Sequence, residues 1–140
     1  MSDRKDRKAC GEISKNPCDT TEESEEGVIL NFQKLDVYQC SIELVSMAFE
    51  AGNSLPRGHA KLVNQLDRAS WSVPLNIAEG YGKITKRDKS NFYSIARGSV
   101  MECAAIFDVL KQRRLISDEQ HRHAMSLADR IVAMLSKMCR

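Results

Sequence analysis

The chain has 140 residues, 42% of them hydrophobic and 29% charged, with a net charge of +2. That is enough chain for one domain with its own core, and too balanced a composition for a disordered or fibrous protein. No apolar run approaches the roughly 18 residues of a membrane-spanning helix, and the N-terminus lacks the continuous apolar stretch of a secretory signal, so the expectation is a cytoplasmic protein with no membrane partner.

The charge divides along the chain. Residues 1–28 hold five basic and eight acidic side chains, net −3, and residues 29–140 hold sixteen against eleven, net +5. The first segment contains Gly11, Pro17, Gly27 and the acidic run Glu22, Glu23, Glu25 and Glu26, with almost nothing apolar before Val28. Such a stretch buries too little surface to offset its ordering entropy, and it is read as a flexible acidic tail. Five cysteines, Cys10, Cys18, Cys40, Cys103 and Cys139, are odd in number and irregular in spacing, which excludes a complete disulfide framework and is read as free thiols.

Residues 29–140 are assigned to a single all-α body. Leu35, Tyr38, Ile42, Val45 and Phe49 recur at three- and four-residue steps, the period of one helix face, and Gly52, Asn53 and Pro56 end that first helix. A second helix begins near Arg57 and carries Leu62, Leu66, Ala69, Val73 and Ile77 inward, until Gly80 and Gly82 stop it. Pro74 inside this stripe is expected to kink the helix without dividing it. Thr85 with Asp88 three residues later resembles a capping box and opens a third helix, with Phe92, Ile95, Ser99, Cys103, Ile106 and Leu110 inward to about Leu115. Ser117 with Gln120 repeats the device before a fourth helix striped by Ala124, Leu127, Ala128, Ile131, Leu135 and Met138. Short connections force neighbouring helices to run antiparallel, which predicts an up-down four-helix bundle.

The second helix also bears a polar stripe, Gln65, Arg68, Ser72, Asn76 and Glu79, all on one face. The third places Ser99 and Glu102 in line with Phe92, Ile95 and Ile106, on a face expected to be inward. A buried carboxylate needs a partner, so Glu102 is expected to pair with Arg68 or Asn76.

The string QLDRASWSVPLNIAEGYGK (Gln65 to Lys83), preceded by LDVYQ (Leu35 to Gln39) and Leu55-Pro56, and followed by FYSIARGS (Phe92 to Ser99) with Glu102, resembles the signature of the 23S rRNA-intervening-sequence protein family. The motifs span about residues 32–116, and the last helix matches by pattern alone. The resemblance implies a four-helix bundle without catalytic residues, often assembled as a ring-shaped homopentamer. One branch of the family is similar to the accessory variability determinant of diversity-generating retroelements, which implies nucleic acid and a reverse transcriptase as partners. Carried over by position, the motif residues are Arg68, Asn76, Glu79, Gly80, Arg97, Gly98, Ser99 and Glu102, with an architectural role implied. Gly98 is assigned to close helix approach and Gly80 to the turn after the second helix. Trp71, where a smaller residue is commoner, and the long N-terminal tail depart from the family pattern.

An enzyme is not expected. A di-iron bundle wants a Glu-x-x-His from two helices, which this chain lacks, so Glu79 and Glu102 are not assigned to a metal pair. His121 and His123, two apart on a helix, point to different faces and are read as surface residues; no metal or other cofactor is expected. Cys103 is read as a small core residue.

Two basic clusters carry the functional expectation. Lys83, Lys86, Arg87 and Lys89 surround a turn bearing Tyr81, and Lys111, Arg113 and Arg114 lie at the far end of the third helix. With Asp88 among them the first cluster has a net charge of about +3, so repeated around a fivefold ring it makes a belt of about fifteen net positive charges, enough to hold a phosphate backbone. The expected function is a non-catalytic homo-oligomer binding RNA or DNA, as accessory to a reverse transcriptase or another nucleic-acid enzyme. The alternative is a scaffold ring recruiting a partner protein.

Overall fold

The computed structural model describes residues 27–140; the acidic tail therefore lies, but for its last two residues, outside the described residues, as do Cys10 and Cys18. A short 3-10 turn, Asn31–Lys34, leads into four α-helices: α1 (Asp36–Ser54), α2 (Ala60–Gly82), α3 (Lys86–Gln112) and α4 (Asp118–Met138). Among the described residues every regular element is helical. Each helix packs on its neighbours in sequence and α4 returns against α1, while the backbones of diagonally opposite helices stay apart. The four stand at the corners of a square, up-down-up-down.

The helix ends follow from local chemistry. Thr85 Oγ1 accepts a hydrogen bond from the Asp88 amide at 3.1 Å, one half of a capping box, since aspartate is too short to reach back. At α4 the box is complete: Ser117 Oγ accepts from the Gln120 amide at 3.0 Å, and Gln120 Oε1 accepts from the Ser117 amide at 2.8 Å. α3 closes with the Leu115 amide on the Leu110 carbonyl and the Arg114 amide on the Lys111 carbonyl, both 2.9 Å, which is a Schellman motif. Its left-handed position, φ 58°, is held by Arg114 rather than the usual glycine. Pro74 sits inside α2 as expected, in one continuous helix. The 3-10 turn escaped the sequence reading because four residues give no period to read; the Gln33 side chain holds it by accepting from the Leu30 amide at 2.7 Å.

Leu44, Leu66, Ile77, Phe107, Leu110, Ile131 and Leu135 fill the centre, each almost wholly removed from water. Cys40 and Cys103 are free and buried, as a core reading requires, and Cys139 is free and half-buried. Burial, and to a lesser extent the neighbouring Glu102, push the Cys103 thiol up to about 12. Cys103 is therefore expected to resist a maleimide at pH 8 in the folded chain while Cys139 reacts, as mass mapping of labelled peptides would read. Equal labelling of the two would show that the core opens.

Several inward assignments were wrong. Ile42 and Phe49 on α1 and Ile95 on α3 are exposed, and Phe92 is half-buried. Helical period alone places a residue within an arc, and these lie at its outer edge. Conversely Tyr93, left outside the core stripes, is buried.

Candidate nucleic-acid interface and the motif residues

The motif residues divide into a seam between α2 and α3 and an outer surface beside it. At the seam's end a Cβ built on Gly80 would lie 2.8 Å from Tyr93 Cε1 and 3.0 Å from Phe92 Cβ, so the absence of a side chain is what lets α3 lie this close. Burial raises the Tyr93 phenol, with nearby Tyr81 adding to the effect. Gly80→Ala is expected to cost about 1–3 kcal/mol through overpacking against the Tyr93 ring, measured by urea unfolding. Further along, Ser99 Oγ donates to Ser72 Oγ at 2.8 Å, and Asn76 Nδ2 donates to the Ser72 carbonyl at 2.7 Å and its Oγ at 2.9 Å. On the other flank of α3, Arg97 Nε donates to Ser136 Oγ of α4 at 2.9 Å.

Glu102 is not buried, and no Arg68–Glu102 ion pair forms. Its carboxylate accepts from Gln65 Nε2 at 2.8 Å on the exposed side, while Arg68 and Glu79 stand in solvent. The third helix turns Glu102 toward α2 but on its outer flank, where water does the work assigned to a partner. Glu102→Ala is accordingly expected to cost less than about 1 kcal/mol in a thermal melt, in the range of an exposed hydrogen bond. Nor does Gly98 serve a close helix approach: a Cβ there would meet nothing within 4 Å, so no helix of this chain comes near it.

Beside the seam runs a groove of about 570 Å³ lined by Lys61, Asn64, Gln65, Arg68, Ser72, Ser99 and Glu102. Lys61 and Asn64 escaped the sequence reading, although with Gln65 and Arg68 they form a polar run at three- and four-residue steps that continues the stripe already noticed.

The seven basic residues do not form one patch. α3 has 27 residues, so the clusters at its two ends stand about 40 Å apart at 1.5 Å per residue. At the α2–α3 end Lys89 Nζ donates to the Tyr81 carbonyl at 2.7 Å and the Gly80 carbonyl at 3.4 Å, and lies 5.4 Å from the Tyr81 ring centroid. It thus caps the C-terminus of α2, where a cation suits the dipole. Lys83 Nζ lies 5.0 Å from the Phe92 ring centroid, a cation–π contact. Lys86 and Arg87 are exposed in the first turn of α3. At the opposite end Lys111, Arg113 and Arg114 are all exposed.

The histidines face different helices, as their spacing requires: His121 Nε2 lies 2.7 Å from Asp108 on α3, and His123 Nε2 lies 3.1 Å from Glu43 on α1. Among the described residues no three His, Cys, Asp or Glu side chains gather as metal ligands, and no helix is long and apolar enough to cross a membrane.

Four antiparallel helices closed into a square, with an α2–α3 seam that depends on Gly80, make this an all-α four-helix bundle. Residues 33–137 match the 23S rRNA-intervening sequence protein family, and the chain belongs to it. A crystal structure of a protein of unknown function from the S23 ribosomal protein family of Bacteroides thetaiotaomicron VPI-5482 has the same fold, with a TM-score of 0.68 at 20% identity, covering 74% of this chain and 98% of that one. No curated protein matches it in sequence.

Proposed function

We propose that this protein is a non-catalytic homo-oligomer that binds RNA or DNA through the basic residues at the two ends of α3, as an accessory to a larger nucleic-acid enzyme such as a reverse transcriptase. The observation that supports this most is where the basic residues stand. Lys86 and Arg87 occupy the first turn of α3, the positive end of its dipole, where cations are disfavoured. Arg114 occupies the left-handed position of a Schellman motif, where a non-glycine residue costs about 1 kcal/mol. Both placements work against the fold, and a phosphate ligand gives each a reason. Lys83 and Lys89, by contrast, have structural employment and contribute charge only secondarily.

Arg114→Gly separates the two roles. It is expected to raise stability by about 0.5–1 kcal/mol by removing the strained conformation, while weakening nucleic-acid binding. A substitution that stabilises and leaves binding unchanged would take Arg114 out of the interface. The rival reading, a scaffold that recruits a protein, draws on the exposed Trp71 and Leu75; it is favoured if one protein is captured regardless of salt and nucleic acid is not.

A further inference from the structure

The end of the bundle where α2 gives way to α3 is also where the described residues begin. Because neighbouring helices run antiparallel, the start of α1, the end of α2, the start of α3 and the end of α4 share that end. Two contacts fix it. The 3-10 turn that leads into α1 packs against α2 as well as α1, and Ser90 Oγ near the start of α3 donates to the Cys139 carbonyl at the end of α4, at 2.7 Å. Residues 27–30, ahead of that turn, are all exposed. In the sequence they are preceded directly by Glu22, Glu23, Glu25 and Glu26. The most acidic stretch of the chain therefore joins the bundle at the rim that carries Lys86 and Arg87.

Given the nucleic-acid reading proposed above, on which this step rests, we infer that the acidic run at residues 22–26 docks on the Lys86 and Arg87 rim of its own chain, in the place of a phosphate backbone, and that nucleic acid must displace it to bind there. Three observations carry the tail as the occupant. The first is charge. Lys83 and Lys89 are turned to Phe92 and to the end of α2, while Lys86 and Arg87 are exposed cations at the positive end of the α3 dipole, where a docked anion offsets their cost. Fully extended, residues 22–26 carry about one negative charge every 4 Å, near the about 3.4 Å per charge of one DNA strand. The second is reach: adjacent helices stand about 10 Å apart, so the start of α3 lies roughly 10–15 Å from the turn on α2, and five extended residues span about 17 Å. The cluster at the far end of α3, about 40 Å away, is beyond this run. The third is apolar surface. Ile84, in the loop between α2 and α3, is 95% exposed, and Val28 (92%) and Ile29 stand exposed at the root of the tail. A docked tail lays that root along the same rim and takes these side chains out of water together.

The test uses the full chain with Glu22, Glu23, Glu25 and Glu26 all changed to Gln, which keeps the length of the tail and leaves its basic Arg4, Lys5, Arg7 and Lys8 in place. Titrated with a mixed-sequence single-stranded RNA at about 50 mM salt, this variant is expected to bind on the order of tenfold tighter than the parent, with a steeper salt slope. In a Lys86→Ala, Arg87→Ala background the same four changes are expected to leave affinity where it is. A second readout needs no nucleic acid: a carbodiimide joins carboxylates to amines in contact, and peptide mapping of the treated parent is expected to find one of the four glutamates linked to Lys86 at low salt and unlinked at about 1 M. Equal affinities for parent and glutamine variant, a gain that persists in the Lys86→Ala, Arg87→Ala background, or the absence of a Lys86 link each overturn the docked tail and leave the nucleic-acid reading standing. Links that join two chains, in a mixture of light and heavy-isotope protein, give the rim to a neighbouring copy's tail and overturn the assignment to its own. A Lys86 link within one chain, in a protein that binds no nucleic acid in either form, overturns the proposed function and leaves the docking itself standing.

Discussion

Phe107→Ala is expected to destabilise the bundle by about 3–5 kcal/mol, the cost of removing a large aromatic from a site that cannot collapse around the cavity. The ring is 1% exposed on α3, at the centre of a core closed by all four helices, so no single neighbour can move in to fill the space. For a body of this size the loss lowers the melting temperature by roughly 10–20 °C. Thermal and urea unfolding followed by circular dichroism would measure it. A cost under about 1 kcal/mol would mean that the four helices do not share one packed core.

The second large effect concerns charge. Replacing Lys86, Arg87, Lys111, Arg113 and Arg114 together by alanine is expected to weaken nucleic-acid binding on the order of 100-fold at low salt, by similar factors for all sequences, because phosphate contacts carry affinity and little sequence information. Lys83 and Lys89 are left in place deliberately. Lys89→Ala would uncap α2, and a loss of binding could then reflect a disturbed turn. The five substitutions lie on exposed side chains at helix ends, so the fold should survive, and the removal of the Arg114 side chain relieves none of its backbone strain, since alanine at φ 58° is no easier than arginine. If only the Lys86 and Arg87 pair matters, the interface lies at the α2–α3 rim; if only the other three matter, it lies at the opposite one.

Much of this architecture was legible in the sequence because helices announce themselves by period and punctuation. The Ser117 and Gln120 box and the tolerated Pro74 came from local chemistry that no tertiary contact overrode, whereas Gly80, expected in the turn after α2, lies inside that helix at its close approach to α3. What period could not give was the position of a residue within its face. Glu102 and Ile95 share a line with the buried Ile106, yet a shift of a fraction of a turn puts them in water. Tyr93 went the other way, drawn inward because Gly80 leaves room for its ring. The candidate site was legible as composition and not as geometry. Nothing in the spacing of Lys83 and Lys89 says that one stacks on Phe92 and the other caps a helix, and nothing in Arg114 says that its backbone is left-handed.

The central proposal, that this bundle holds nucleic acid by charge, is tested most directly by titrating a fluorescent single-stranded RNA and a duplex DNA of mixed sequence with the full chain while salt is raised from about 50 to about 300 mM. Binding is expected at the low end, with a linear fall of log affinity with log salt and a shallower slope for the five-substitution variant, each lost phosphate contact removing roughly 0.7–0.9 from it. The absence of binding at about 50 mM salt, or binding whose affinity is indifferent to salt and to the five substitutions, would contradict it and leave the charged ends as solvated rims of a protein-binding scaffold.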